Sequence, residues 1–286
     1  MTVVKLFADW EADGITLVER AIAAHGGRSV WRETACIRLP FSLAAGALLK
    51  LKGYGHTFPA PGGFEIRPHD RVTIFHRYPD DRHRGTFAGG TVSIEDVDSR
   101  EPPMRRVDHR RTFAGLAKYR RWSALDALYF FGYALWHYHV LPFTLGEARL
   151  VRVLKRRGLP DGIDVVFPPD VHTHSRRQQL FFGTDGRIVR HDYLAEIVGA
   201  WACGSHFWED YETCGGLLIA RRRRVVFRIG RQPIPFRVLD VQFGEPQTFS
   251  VRHDHSGRRS ESGPDRGENQ LLKKHLSVRE VRRSAE

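Results

Sequence analysis

The sequence predicts an α+β chain, mainly antiparallel β, in which a curved sheet or half-barrel carries an N-terminal helix and a central helical lid. Three observations predict it. Apolar and polar residues alternate in short segments on both sides of residue 123, and Gly, Pro and Asp separate those segments. Between the two sets lies one dense apolar and aromatic run, Leu125 to Leu141. Alternation marks strands with one wet face, and short turns between them favour antiparallel neighbours.

Along the chain, Asp13 is placed to cap a helix whose apolar residues Ile15, Val18, Ala21 and Ile22 recur at helical spacing. His25, Gly26 and Gly27 end it, since glycine suits the left-handed cap. Trp31 follows in a short helical turn. From about residue 35 the period becomes two: Leu49 and Leu51 alternate with Lys50 and Lys52, Phe64 and Ile66 with Glu65 and Arg67, and Val72/Ile74 and Val92/Ile94 flank polar residues.

Ser123 and Asp126 form a capping-box-like start to the central run, and Pro142 stops it. The stretch His109 to Arg121 is a second, more basic helical candidate, so the expected lid spans about 109–141. Seven aromatics fall between Tyr129 and Phe143: Tyr129, Phe130, Phe131, Tyr133, Trp136, Tyr138 and Phe143. That run reads as a lid or interfacial helix, as a plain core helix, or, by its bare length, as a membrane span. Asp126, His137 and His139 within it speak against the span.

Strands resume with Ile163, Val165 and Phe167, then Gln179 to Phe182 before the turn signal Thr184-Asp185-Gly186. Further strands are expected at 187–197, 201–211, 217–229 and 236–243. Residues 1–249 are expected to form one β-rich domain, ample for one core at 286 residues and 41% hydrophobic content. After 250 the composition turns polar and basic, predicting a disordered tail over 250–286 with a transient helix near Leu271 to Val281.

The order helix, strands, aromatic helices, strands resembles the half-barrel of bacterial lipoprotein-localisation carriers and related lipid-binding proteins. The opening Ala24-His25-Gly26-Gly27-Arg28-Ser29-Val30-Trp31 is similar to the start of bacterial proteins related to that group. The resemblance implies a curved antiparallel sheet around an apolar cavity, with helices as its lid, and carries over no functional residue. Charged residues interrupt the apolar N-terminal residues, and no cleavage site follows, so the cytoplasm is the expected location.

The functional expectation is a binding protein, rather than an enzyme, for an apolar or amphipathic, lipid-like small molecule in a hydrophobic cavity. Phe130, Phe131, Tyr133, Trp136, Tyr193 and Trp208 are its expected ligand contacts. The alternative is an enzyme working in the same cavity. Asp192 and His206 fall opposite one another if their strands form a hairpin centred near Gly199, and a carboxylate beside an imidazole can orient it for acid–base chemistry. The bland reading of that pair is a polar contact on the wet face. His172 and His174, at i and i+2, can share a metal if His191 or His206 supplies a third ligand, although an exposed loop explains them as well.

A net charge of +12, carried mostly by arginine, leaves a third reading. Arg221-Arg222-Arg223-Arg224 can contact an anionic membrane surface or phosphate, or simply form a solvated strand face. No helix-turn-helix or zinc-finger pattern turns the charge into nucleic-acid readout. Dinucleotide, P-loop, hydrolase-elbow and zinc-protease motifs are absent from the sequence, so no cofactor is expected. Cys36, Cys203 and Cys214 lack the spacing of a zinc site or disulfide framework.

Overall fold

The computed structural model describes residues 10–55, 58, 60–155, 160–253 and 259–261. Helix α1 (Ala12–Ala24) buries Leu17, Val18, Ala21 and Ile22 on one stripe and begins at Glu11 rather than at the expected Asp13. Its end is fixed twice over: His25 Nδ1 bonds Ala21 O at 2.7 Å, and Gly26 turns with φ 111°. A side chain at Gly26 would collide with Gly216, since its Cβ would stand 2.2 Å from that carbonyl oxygen. The short helix α2 (Gly27–Glu33) carries Trp31 as expected.

Strand β1 (Thr34–Leu39) then leads through Pro40 into β2 (Phe41–Ala45). The alternation of Leu49 and Leu51 with lysines does not make a strand. It lies in helix α3 (Ala47–Lys52), bounded by Gly46 and Gly53. Four alternating residues fit one helical turn equally well, and here Leu48 and Leu49 share the buried side. Lys52 is buried too, its ammonium donating to Lys118 O at 2.6 Å and Val198 O at 3.3 Å.

The meander follows as β3 (Phe64–Arg67), β4 (Val72–His76), β5 (His83–Ala88), β6 (Thr91–Asp96) and β7 (Met104–Arg106). Then come two 3-10 turns, His109–Phe113 and Gly115–Tyr119, where a second basic helix was expected, and α4 (Ala124–Val140). The second half supplies β8 (Arg149–Leu154), β9 (Asp161–Val166), β10 (Arg177–Phe182), β11 (Ile188–Leu194), β12 (Cys203–Cys214), β13 (Leu217–Ile229) and β14 (Gln232–Phe243). It ends with β15 (Gln247–His253) and β16 (Arg259–Glu261).

Among the described residues these strands make two eight-stranded antiparallel sheets. One has the order β16-β15-β1-β3-β4-β5-β6-β7, the other β2-β14-β13-β12-β11-β10-β9-β8. The chain passes between them four times, and the two short crossings, at Pro40 (β1 to β2) and at Gly244 (β14 to β15), touch: Gly244 N–H donates to Pro40 O at 2.8 Å. The result is an α+β fold of curved antiparallel sheet folded about one corner. It is not closed into a barrel, because the outer strands β7 and β8 do not pair with each other.

Between the sheets runs α4. Every residue of it after Ala124 is buried. It is a buried helix that covers the cavity side of the second sheet, and no described helix is long and apolar enough to cross a membrane. The expected capping box is present: Asp126 N–H donates to Ser123 Oγ at 3.3 Å, and Ser123 N–H to Asp126 Oδ2 at 2.8 Å. Asp126 also receives His109 Nε2 at 2.9 Å and Arg120 Nη2 at 2.7 Å, which fastens the 3-10 segment to the helix start.

The boundary drawn at 250 cuts through a strand. Strand β15 (Gln247–His253) pairs with β1 through Thr34–Ser250 and Ile37–Thr248, and with β16 over Val251 to His253. Phe249 accounts for this locally, since the Arg38 guanidinium stacks over its ring at 4.9 Å. The helix expected at Leu271 to Val281 lies outside the described residues.

Candidate ligand-binding cavity

The inner face of the second sheet is set by its register. Ile163, Leu180, His191, His206, Val225 and Leu239 lie side by side across six strands, β9 to β14, and two of them are histidines in an otherwise aliphatic row. The neighbouring inward row brings Trp208, Arg223 and Val241 together. Between this face and α4 opens a cavity of about 580 Å³.

Phe130, Phe131, Ala134, Leu135 and Tyr138 of α4 line one wall; Tyr193, His206, Arg223, Val225 and Leu239 line the other. Apart from the exposed Lys50, its mouth is apolar as well. Leu51, Trp201 and Phe236 line it while remaining 54%, 49% and 57% exposed, whereas Tyr138, Arg223 and His206 at the inner end are 8%, 3% and 0% exposed.

Three of the expected ligand contacts, Phe130, Phe131 and Tyr193, face this space, as does His206. The other three do not. Tyr133 Oη is hydrogen-bonded to His174 Nδ1 at 2.9 Å, Trp136 Nε1 donates to Pro68 O at 3.1 Å, and Trp208 lies beneath the Arg223 guanidinium at 3.7 Å. For the two helical residues the geometry explains the division, because Tyr133 and Trp136 lie off the stripe Phe130, Phe131, Ala134, Leu135 and Tyr138 that faces the cavity.

Asp192 and His206 are not opposed. His206 pairs with His191, and Asp192 with Ser205, one residue out of the expected register. A one-residue slip reverses the face. Asp192 points outward, gripped by Arg190 through Nε at 2.7 Å and Nη2 at 2.6 Å. No acid–base pair forms there.

His172 and His174 are held by separate tyrosines. His172 Nδ1 meets Tyr129 Oη at 2.7 Å, and His174 Nδ1 meets Tyr133 Oη at 2.9 Å. His174 Nε2 also bonds Tyr138, whose hydroxyl in turn meets Tyr193 Oη at 2.9 Å, and the His174 ring stacks on Tyr193 at 4.1 Å. With its nitrogens so engaged His174 is not placed as a metal ligand, and no three-residue metal-binding group occurs among the described residues.

Beside this chain, Gln178 Nε2 donates to Ser175 O at 2.6 Å, which turns Gln178 Oε1 toward His137 Nε2 at 3.0 Å and toward His191 Nε2. An amide oxygen only accepts, so both imidazoles carry their proton on Nε2. Burial holds the pKa of His137 down to about 4, and burial followed by repulsion from neighbouring histidines lowers those of His174 and His191. Burial and the Arg223 charge do the same for His206. All four are neutral near pH 7, and of them His206 lines the cavity.

Sequence reading named Arg223 only as one of the run Arg221 to Arg224 and missed that it faces inward. Its neighbours belong to ion pairs: Arg221 with Glu212 at 2.7 Å, Arg222 with Asp240 at 3.5 Å, and Arg224 with Glu209 at 2.5 Å. The arginine run is therefore largely neutralised within the sheet. Arg223 differs, and the signal was available: counting by twos back from Phe227 and Val225 places it on the inner face.

No protein-family profile matches the chain, and no curated protein matches its sequence. A LolA superfamily protein from Nitrosomonas europaea is similar over 85% of this chain and 95% of its own, at 10% identity and a TM-score of 0.45. A DUF1329 family protein from Desulfovibrio piger is similar over 82% of this chain and 92% of its own, at 12% identity and a TM-score of 0.38.

Proposed function

We propose that this protein binds an apolar or amphipathic small molecule in the cavity between α4 and the second sheet. The observation that carries the reading is the cavity itself, about 580 Å³ in volume and walled by aromatic and aliphatic side chains. Small-molecule sites are concave and mostly apolar, with a few placed polar groups, and run from roughly 300 to 1,000 Å³. The exposed apolar residues at the mouth give a hydrocarbon a continuous path inward. Asp192 turns outward to Arg190 and does not pair with His206 in this cavity.

Titration with an environment-sensitive fluorescent fatty-acid analogue tests the proposal. Wild type is expected to bind it saturably. Ala134→Trp, which fills the space beside Phe130 and Leu135, is expected to weaken binding at least ten-fold, while Trp136→Ala, away from the cavity, leaves the site's contacts in place. A folded wild type that binds no apolar probe refutes the reading.

A further inference from the structure

The inner end of the cavity holds a charge that the protein does not neutralise. Arg223 is 3% exposed, its Nε and Nη1 have no hydrogen-bond partner, and no carboxylate lies within ion-pair distance of it among the described residues. Its guanidinium rests on the Trp208 ring at 3.7 Å with Tyr138 at 5.8 Å. Burial brings its pKa only to about 10, so it stays a cation near pH 7. A buried cation without a counter-ion is costly, and three flanking arginines of the same strand each have one.

His206 adds a second unmet demand. It is fully buried on the same cavity wall, and neither ring nitrogen has a partner. No Asp or Glu lines the cavity. On the far side of Arg223 is a void of about 20 Å³ beside His25, His139 and Ile219. It has room for one water, which supplies a hydrogen bond but no negative charge.

We infer that the cavity takes a carboxylate-bearing amphiphile, inserted head first, with the carboxylate between Arg223 and His206. The hydrocarbon then runs outward along Phe130, Phe131 and Ala134 to the mouth at Leu51, Trp201 and Phe236. This rests on the proposed binding function and specifies its ligand. One buried guanidinium matches one negative charge. The planar fork of arginine donates to both carboxylate oxygens, and the neutral His206 has one N–H to add. The head must be small, because the inner end is enclosed by Tyr138, His206 and the Arg223–Trp208 stack. A phospholipid headgroup is too bulky for that position.

The test uses the full chain with hexadecanoate, methyl hexadecanoate and hexadecanol, each displacing the fluorescent probe near pH 7.5. The acid is expected to bind wild type at least ten-fold tighter than the ester or the alcohol, as charge-assisted hydrogen bonds require. In Arg223→Met the acid is expected to fall to the affinity of the ester, while the ester keeps its own. Equal binding of all three ligands to wild type overturns the inference and leaves the cavity function standing, and that comparison needs no variant to fold. An acid preference that persists in a folded Arg223→Met overturns it as well. Failure of all three to bind overturns the cavity function itself.

Discussion

Gly132 of α4 lies so close to Phe87 of β5 that a Cβ built on it would stand 2.4 Å from the Phe87 Cβ. The approach is fastened by Thr73, whose hydroxyl donates to Gly132 O at 2.9 Å. At this point the helix touches the first sheet through backbone, with Tyr129 and Trp136 packed on the same side and Phe130, Ala134 and Tyr138 turned to the cavity. Gly132→Ala is expected to lower stability by about 3 kcal/mol through overpacking. Urea denaturation checks it, and an unchanged midpoint would mean the helix is free to lift off.

Asp126 is buried and receives His109, Arg120 and the backbone of Ser123. Burial alone would push its pKa up, but those hydrogen bonds and the Arg120 charge outweigh it and hold the carboxylate below its usual value. Asp126→Asn leaves His109 and Arg120 without their anion and is expected to cost about 3 kcal/mol. Hydrogen exchange should rise first in 109–123; uniform protection there would contradict the role of Asp126 as the fastening.

Stability is expected to fall steeply in mild acid. Unfolded, His25, His137 and His139 take a proton near pH 6.5; burial lowers the first two to about 4, and burial with the Arg223 charge lowers His139 to about 3. Between 6.5 and 4 the unfolded chain binds more protons than the native one. Each histidine then removes about 1.4 kcal/mol per pH unit as pH drops, and nothing above that window. Thermal midpoints at pH 7.5 and 5 measure this, and equal values would show that these rings are hydrated.

Ending the chain after Pro246 strips β15 from β1 and opens the backbone edge of Thr34 to Arg38. It also removes Thr248, which packs against Gly215 and Cys214. Such a truncation is expected to lower the thermal midpoint by several degrees, about 5 °C or more, and to promote aggregation through the bared edge. A midpoint equal to that of the full chain would show that β15 contributes nothing.

What the sequence discloses depends on whether a pattern is local. The capping box at Ser123 and Asp126 and the stripe Leu17, Val18, Ala21, Ile22 are near-neighbour relations, and the structure keeps them. Phe130, Phe131 and Tyr193 were found because apolar walls need large rings. Asp192 and His206 were misjudged because register depends on where the connection between β11 and β12 turns, and one residue reverses a face. Arg223 was hidden by its neighbours. Four arginines in a row look like one solvated surface, yet on a strand alternate members cannot all face water when the other side carries Val225 and Phe227.

The corner where Pro40 meets Gly244 constrains the order in which the molecule can assemble. Among the described residues strand β2 has no hydrogen-bonded neighbour but β14, and β1 waits for β15 along one edge, so both sheets are finished by pairings between the first and last sixths of the chain. Loop closure over that span costs entropy before any contact rewards it, and folding is slow when such distant pairings dominate. A ribosome must deliver nearly the whole polypeptide before either surface can be sealed. Until Gln232 to Phe243 emerges, the nascent chain keeps residues 41–45 as an unclaimed strand, the segment on which a holding chaperone would have to act.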